Sequence, residues 1–218
     1  MKPSNNENFV AIILAAGASQ RMGQDKASLP WLHGKTLLEW MAESLSQNGW
    51  KPVVVLGPHN HQDWIGRLCV ATLVLNSRAS EGKTTSLATG AQALPERVHS
   101  IMLTAVDQPR PPALYRLLRE SAVQRAEPII VPENGRRRGH PIVLKNILRE
   151  RLTHLNEEAL GLRELLNEHV ASVHRLPCEP DWLRWDCNTP VAYKEALRWF
   201  ECHSDSHHKR NSAVGDQP

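Results

Sequence analysis

The sequence lacks the features that mark a membrane protein, a secreted protein or a zinc ribbon. Its polar start, MKPSNNEN, is followed by an apolar run that is too short to cross a bilayer. The four cysteines, Cys69, Cys178, Cys187 and Cys202, form no C-x-x-C pair and have no zinc-ribbon spacing. We therefore predict reduced thiols, no secretory signal, no transmembrane span and a cytoplasmic location.

The sequence also lacks a strong charge of either sign. Its 26 Lys and Arg residues and 23 Asp and Glu residues leave a net charge of +3 when the 11 histidines are neutral. This excess is too small to favour a nucleic-acid or membrane surface, but it is compatible with small anionic substrates. A hydrophobic share of 41% and a charged share of 22% are ordinary for a globular protein with a buried core.

No internal repeat and no domain linker interrupts the 218 residues. We predict a flexible N-terminus at residues 1–8, a single domain at residues 9–202 and a disordered tail at residues 203–218. The tail is polar and has no periodicity. Its histidines, His207 and His208 beside Cys202-His203, are only a compositional hint of metal binding.

Short apolar runs alternate with segments of helical period along most of the chain. The predicted strands are the run around Ile12 and residues 53–56, 71–75, 101–106, 128–131, 141–144 and 170–176, and the clearest predicted helices are residues 36–48, 161–169 and 191–200. This alternation predicts a mostly parallel α/β sheet covered by helices. Ligands bind beyond the carboxyl ends of such strands, so the loops after Ala16, Asn76 and Val106 should converge on one site.

The stretch from Ile12 to Lys26 has the composition of an anion-binding loop. A buried strand leads into Gly17 and Gly23, which let backbone N–H groups approach an anion closely. Arg21 and Lys26 add two full positive charges. We therefore predict that a polyanion binds at this loop.

Neither of the two common nucleotide fingerprints is present. The spacing of Gly17 and Gly23 does not fit G-x-G-x-x-G, and no GK[ST] follows the loop at the Walker distance. Gly82-Lys83-Thr84 resembles the end of a Walker motif, but Ser77 stands where the first glycine should be. A P-loop NTPase is therefore disfavoured.

The first loop fits a longer pattern, L-x-x-G-x-S-x-R-M-G-x-D-K, and so resembles the MobA-like nucleotidyltransferases. The matching residues are Leu14, Gly17, Ser19, Arg21, Met22, Gly23, Asp25 and Lys26. The segments NSRASEGKTTSL, TAVDQP, RRRGHPIVL and WDCNTPVAY resemble further elements of that family in the same order. The resemblance covers residues 10–200, nearly all of the predicted domain.

The resemblance implies a three-layer, Rossmann-like nucleotidyltransferase fold with a mostly parallel mixed sheet. Ala15-Ala16 before Gly17 is similar to the branch that transfers CMP from CTP to molybdopterin with release of pyrophosphate. The guanylyl-transferring branch typically has a glycine where Ala16 stands. The implied cofactor is Mg²⁺, and the implied partners are CTP or another nucleoside triphosphate, a molybdopterin-type phosphorylated acceptor and a molybdoenzyme or its chaperone. We expect a monomer without nucleic-acid or membrane partners.

The same resemblance, with the charges of the residues, implies roles for the site residues. The implied catalytic residues are Arg21 and Lys26, which hold phosphates, and Asp107, which holds the metal. The implied nucleotide-binding residues are Leu14, Ala15, Ala16, Gly17, Ser19, Arg21, Met22, Gly23, Lys26, Asn76, Ser86 and Asp107. The implied metal ligands are Asp107 and Asn188, and the implied acceptor-binding residues are Gln108, Pro109, Arg138, Gly139, His140 and Asp186.

Several of these residues have a second interpretation. Asp107 could cap the helix that begins near Pro111, and Ser86 could equally be a helix cap. The run of arginines at residues 136–138 could be a solvated charged segment, and His140 could be a hydrogen-bonded turn residue.

Two positions depart from the family pattern. Lys83 stands where an apolar residue is common and Asn188 where an aspartate is common, which leaves the acceptor and the number of metal ions open. The alternatives are transfer from GTP, transfer to another acceptor such as a sugar phosphate or phospholactate, and nucleotide binding or cofactor delivery to a molybdoenzyme without turnover.

Overall fold

A computed structural model describes residues 8–18, 22–135, 137–155 and 161–211, with side chains described as far as His203. Its centre is an 8-stranded sheet. The strands are β1 (Asn8–Ala15), β2 (Lys51–Leu56), β3 (Thr72–Leu75), β4 (Val98–Ala105), β5 (Ile129–Asn134), β6 (Arg137–Arg138), β7 (Ile142–Lys145) and β8 (Val173–Pro177). The order across the sheet is β3-β2-β1-β4-β7-β5-β6, and β8 pairs with β5.

The strand directions confirm a mixed, mostly parallel sheet. The pairs β1–β2, β1–β4, β2–β3 and β5–β8 are parallel, whereas β7 is antiparallel to both β4 and β5, and β6 is antiparallel to β5. All strands except β6 and β7 therefore run in one direction and end at the same edge. The chain steps from β1 towards β3 on one side and returns to place β4 on the other, which is the switch point where such folds bind ligands.

The helices lie in two layers, one on each face of the sheet. They are α1 (Leu37–Gln47), α2 (His61–Trp64), α3 (Lys83–Gln92), α4 (Pro112–Gln124), α5 (Arg149–Thr153), α6 (Leu162–Glu168) and α7 (Pro190–Asn211). Alternate residues of β1 enter two separate cores: Ala11 and Ile13 pack with α1, α4 and α7, while Val10 and Ile12 pack with α3, α5 and α6. The strand is apolar on both faces because helices cover both, and the predicted three-layer architecture is confirmed.

Strand β6 departs from the sequence prediction, which placed a polar connection between β5 and β7. Arg137 and Arg138 pair with Asn134 and Glu133 across a tight turn, in which Gly135 has a φ of 58°. The Arg138 guanidinium also lies 3.2 Å from a carboxylate oxygen of Glu133. Gly135 directly follows the paired Asn134, and a glycine with positive φ at the first position of a two-residue connection is a hairpin signal.

The last helix is longer than its predicted range of residues 191–200. Helix α7 runs as far as Asn211, and the imidazole of His203 stacks on Trp199 one turn earlier, with ring centroids 4.2 Å apart. This contact between residues four apart carries the helix beyond Cys202. Residues 212–218 lie outside the described residues, as do residues 1–7.

Two further expectations concern the cysteines and membrane insertion. The four cysteines are all free thiols, as predicted. Within the described residues, none of the helices has the length and apolar character that crossing a membrane would require.

Gly90 provides a test of how closely α3 packs on the sheet. A Cβ at this position would lie 2.7 Å from Ile12 Cγ2 and 3.1 Å from Val55 Cγ2. Helix propensity alone predicts that Gly90→Ala stabilises the protein by about 1 kcal/mol. We expect the opposite, a loss of roughly 1–3 kcal/mol in the free energy of unfolding, because the methyl group overpacks the core.

Urea unfolding of Gly90→Ala measures this difference. Ala88→Gly, a partly exposed position of the same helix, is the control and should lose only the propensity of about 1 kcal/mol. An unfolding free energy for Gly90→Ala equal to or above that of the parent would show that α3 does not approach β1 and β2 this closely.

Candidate active site at the carboxyl edge of the sheet

A cavity of about 640 Å³ opens at the carboxyl ends of β1 and β4. The loops after β1, β3 and β4 contribute Gly17, Ser80 and Asp107 to its wall, which confirms the predicted convergence of these three loops. Its volume is within the range of about 300–1,000 Å³ that is usual for small-molecule sites.

The polar centre of the cavity is a cluster of Lys26, Asp107 and Asn188. The Lys26 ammonium donates to Asp107 Oδ2 at 2.8 Å and to Asn188 Oδ1 at 2.6 Å. The side chains of Lys26 and Asp107 are only 15% and 20% exposed. Three residues that are far apart in sequence thus place a positive charge between two oxygen ligands, in a site where water screens charges poorly.

Local structure fixes the position of Lys26. It begins a short 3-10 helix, Lys26–Ser28, which Asp25 caps by accepting a hydrogen bond from the Ala27 N–H at 3.2 Å. The buried amide of Asn60 donates to Asp25 Oδ2 at 3.2 Å and to the carbonyl of Ala15 at 3.0 Å. Asn60 therefore joins the end of β1 to the Lys26 helix, a role that the sequence analysis did not assign to it.

Asn76, predicted to bind the nucleotide, lies behind the cavity wall. Its amide donates to Ser86 Oγ at 2.9 Å and to Thr85 Oγ1 at 3.0 Å, and its carbonyl oxygen accepts from the Arg78 N–H at 3.0 Å. The side chain is buried and its hydrogen bonds remain within the protein. Asn76 thus organises the start of α3, whose residues Lys83 and Ser86 line the cavity.

The loop before α7 closes the cavity beside Asp107. The Cys187 N–H donates to the Asp107 carbonyl at 2.7 Å, which brings the next residue, Asn188, into the polar cluster. Burial raises the pKa of Cys187 to about 12, and the negative charge of Asp107 adds to the effect. Because a thiolate is the reactive form of cysteine, Cys187 cannot serve as a nucleophile near neutral pH.

The predicted acceptor residues divide into two groups. Gln108 and His140 line the cavity, whereas the other four residues do not. Arg138 pairs with Glu133, and Gly139 lies against Leu183, 3.2 Å from where a Cβ would be. The other two contact Arg110: the Pro109 carbonyl accepts a hydrogen bond from it, and the Asp186 carboxylate forms an ion pair with it. The structure instead adds Leu162, Arg163 and Leu166 of α6 to the wall. Nothing in their amphipathic pattern distinguished them from core and surface residues of an ordinary helix.

His140 forms part of the wall opposite α3. Burial lowers the pKa of its imidazole below the ordinary value, and the positive charges of Arg110 and Lys83 lower it further. A hydrogen bond with the Leu103 backbone and the charge of Asp186 act in the opposite direction. The imidazole is therefore held neutral at physiological pH.

Of the other residues predicted to bind the nucleotide, four line the cavity and two do not. Leu14, Ala15, Ala16 and Gly17 line the cavity, while Met22 and Gly23 belong to the first loop but do not line the cavity. Ser19, Arg21 and Arg136 lie outside the described residues. The sequence analysis also missed Arg110, a buried arginine whose contacts join the loops around Asp107, His140 and Trp185.

The amino-acid sequence is similar to one family model and to proteins of known name. A family model described as the MobA-like NTP transferase domain matches residues 11–173. The chain is 30% identical over 187 residues to nicotine blue oxidoreductase of Paenarthrobacter nicotinovorans, which covers 82% of this chain and 91% of that protein. It is 50% identical over 58 residues to molybdenum cofactor guanylyltransferase of Xanthomonas euvesicatoria pv. vesicatoria (strain 85-10). That second match spans 27% of this chain and only 29% of that protein.

Solved structures show the same fold. Rv0371c of Mycobacterium tuberculosis H37Rv superposes with a TM-score of 0.76 at 24% identity, covering 88% of this chain and 98% of that one. A structure of Rv0371c in complex with manganese has a TM-score of 0.69 at 22% identity and covers the same share of each chain. The family model and the relative matched along most of its length show that this chain belongs to the MobA-like NTP transferase family, a family of nucleotidyltransferases.

Proposed function

We propose that this nucleotidyltransferase transfers CMP from CTP to the terminal phosphate of a molybdopterin-type acceptor. The observation that carries the proposal is the cluster of Lys26, Asp107 and Asn188 in one cavity, beside the backbone of Ala16 and Gly17. Nucleotidyl transfer depends on charge neutralisation and in-line positioning more than on covalent help from the protein. A cation, two hard oxygen donors and a glycine loop supply those requirements.

The two oxygen donors fit a divalent metal ion such as Mg²⁺. Asp107 offers a carboxylate and Asn188 an amide oxygen, and both oxygens lie within hydrogen-bond distance of one cationic nitrogen, Lys26 Nζ. Within the described ranges, no group of three His, Cys, Asp or Glu side chains is suited to hold a metal. A magnesium ion here would therefore take its other ligands from water and phosphate, as magnesium commonly does in proteins. When bound, it would neutralise the charge of the triphosphate.

Lys26 then has two alternative sets of partners. Without nucleotide its ammonium occupies the space between Asp107 and Asn188. Triphosphate oxygens compete with Asp107 for the same ammonium, and a Lys26 that turns to the phosphates leaves both oxygens free for a metal ion. Nucleotide and metal should accordingly bind with positive coupling, since each removes an obstacle to the other.

The reaction itself needs no strong base from the protein. A phosphate oxygen of the acceptor attacks the α-phosphorus of CTP, the bond from that phosphorus to the bridging oxygen of the β-phosphate breaks, and pyrophosphate leaves. The attacking group is already an anion, so the neutral imidazole of His140 need not remove a proton from it. Lys26, and by the family pattern Arg21, would stabilise the negative charge on the departing pyrophosphate.

The preference for CTP is proposed from the residue at position 16. Ala16 is buried at the cavity wall, so its methyl group occupies space where the guanylyl-transferring pattern has glycine. A smaller pocket at this point favours a pyrimidine over a purine.

The relative matched along most of this chain supplies a second candidate function. Its name, nicotine blue oxidoreductase, refers to redox chemistry, and the identity of 30% extends over 82% of this chain. A nicotinamide dinucleotide also carries a pyrophosphate that the first loop and Lys26 could bind. Under this alternative the cavity would bind a redox dinucleotide, and a hydride would pass from the reduced nicotinamide to an oxidised acceptor, of which nicotine blue is the one that the relative's name indicates, without release of pyrophosphate.

Pyrophosphate release from ATP, CTP, GTP and UTP, with Mg²⁺ and with or without molybdopterin, tests the proposed reaction. We expect release from CTP only when molybdopterin is present, because the acceptor phosphate is the nucleophile. Asp107→Ala should reduce the rate about a hundredfold, the scale for the loss of one transition-state charge contact. Release with GTP or only with another phosphorylated acceptor would favour the related transferases.

Two other outcomes would contradict nucleotidyl transfer itself. Tight nucleotide binding without turnover would favour a delivery partner of a molybdoenzyme. Oxidation of NADH or NADPH with nicotine blue as the electron acceptor, with no pyrophosphate from any nucleotide, would favour the redox alternative.

The competition at Lys26 predicts that one substitution shifts two affinities in opposite directions. Lys26→Met should bind Mn²⁺ more tightly in the absence of nucleotide, because no ammonium competes for Asp107 and Asn188. The same variant should bind CTP more weakly in EDTA, because a phosphate contact is lost. We expect each change to be roughly tenfold, the scale of one charged hydrogen bond.

Electron paramagnetic resonance of free Mn²⁺ and calorimetry of CTP binding measure these two constants. The control is Lys35→Met, which removes the surface ion pair with Glu43 without touching the cavity. If both affinities fell together in Lys26→Met, or neither moved, Lys26 would not exchange between the two sets of partners.

A further inference from the structure

Arg110 is a charged side chain in the interior of the protein. Its exposed fraction is 1%, and among the described residues it is the one Lys, Arg, Asp or Glu that is buried. It is not part of the cavity wall, and the sequence analysis assigned it no role. Burying a guanidinium is costly unless its donors are all directed at acceptors.

Its donors bind three separate segments of the chain. Nε donates to the His140 carbonyl at 2.9 Å, and one terminal nitrogen donates to the carbonyls of Pro109, at 2.9 Å, and of Trp185. The other terminal nitrogen donates to Asp186 Oδ1 at 3.1 Å. The planar fork therefore fixes the loops at residues 139–141 and 185–188 against the loop that follows β4.

Neutralising the guanidinium charge does not by itself explain these four contacts of Arg110. Three of the four acceptors are backbone carbonyls, which carry no net charge, and the fourth, Asp186, is 39% exposed on its side chain. An apolar side chain of similar size would avoid this desolvation cost, and replacing buried ion pairs in that way is often neutral or stabilising. The advantage of arginine at this position is therefore the geometry that it imposes on the three loops.

The loops that Arg110 holds carry residues of the polar cluster and of the cavity wall. Asp107 lies three residues before Arg110 and Asn188 lies two residues after Asp186, while the Cys187 N–H donates to the Asp107 carbonyl at 2.7 Å. The segment carrying Asn188 is thus anchored by Arg110 at Trp185 and Asp186 and by Asp107 at Cys187. On the opposite side the same guanidinium holds the backbone of His140, whose side chain lines the cavity.

We propose that Arg110 is a positioning residue that holds Asn188 beside Asp107 and His140 at the cavity wall, so that the metal–nucleotide complex meets a preformed site. This inference rests on the proposed function, because it assigns Arg110 an effect on metal-dependent steps. Arg110 does not line the cavity, so its effect on ligands is exerted through the loops that carry His140 and Asn188.

Arg110→Lys tests the proposal because lysine keeps the charge but cannot span the same acceptors. We expect Mn²⁺ together with a non-hydrolysable CTP analogue to bind about 10–100-fold more weakly, the usual scale when a residue supporting a metal ligand is lost. The rate constant kcat should fall by a similar factor. Affinity for the CTP analogue in EDTA should stay within about twofold, since the first loop is untouched.

Arg119→Lys is the matched control. Arg119 also donates to a backbone carbonyl, that of Gly49 at 3.1 Å, and lies over the Phe9 ring at 4.4 Å, but it is not part of the cavity. It should leave the metal-dependent affinity unchanged even if it lowers the melting temperature. A folded Arg110→Lys with parental affinity and kcat would overturn the proposal.

Asp186→Ala keeps the inference testable if Arg110→Lys does not fold. Asp186 is partly exposed, so its removal should leave the fold intact while it loosens the anchored loop. We expect a weaker loss of metal-dependent binding in the same direction, and an unchanged value would overturn the proposal. If the parent protein neither binds the metal–nucleotide complex nor releases pyrophosphate, the proposed function itself fails. A parent that does both, with variants that match it, isolates the failure to Arg110.

Discussion

The hydrogen-bonded ion pair between Lys26 and Asp107 joins the two strands on which the site is built. Lys26 follows β1 and Asp107 follows β4, which are parallel neighbours, so their loops emerge at the same edge of the sheet. Asn188 reaches the same point from the opposite end of the chain. Because the side chains of Lys26 and Asp107 are only 15% and 20% exposed, water screens their attraction incompletely, and the ammonium between two oxygen donors is a stabilising contact.

Two buried polar side chains support that interaction from outside the cavity. Asn60 donates to the Ala15 carbonyl at the end of β1 and to the capping residue Asp25, and so holds the short helix that begins at Lys26 against that strand. Arg110 performs a similar task for the loop that carries Asn188. Both amide N–H groups of Asn60 and four of the five N–H groups of Arg110 donate to protein oxygens, so these two side chains hold the loops in place. The polar cluster is thus held in place by residues that do not line the cavity.

Much of the sheet and of its functional edge could be predicted from the sequence. The apolar runs of β1, β2 and β4 have no polar alternation because helices cover both faces, and their carboxyl ends necessarily bring Gly17 and Asp107 close together. These features depend on local composition and on general rules of parallel sheets, both of which can be recognised in one sequence.

The features that could not be predicted depend on contacts between distant residues. Arg110 appears in the sequence as one more charged residue before a proline-rich helix start, and only the fold brings it to carbonyls 30 and 75 residues away. Asn76 follows a strand in the manner of a ligand-binding residue, yet its amide is directed at Ser86 because α3 begins next to it. The wall formed by α6 also depends on how that helix packs, which its amphipathic pattern leaves open. Side-chain direction, rather than position along the chain, separates the residues that line the cavity from those that support it.

A crystal structure with Mn²⁺ and a non-hydrolysable CTP analogue tests the central claim most directly, because manganese can be located by its anomalous scattering. The account predicts an anomalous peak bound by Asp107 and Asn188, with the Lys26 ammonium moved to the phosphates of the analogue. A manganese ion bound elsewhere, with Lys26 still hydrogen-bonded to Asp107 and Asn188, would contradict it.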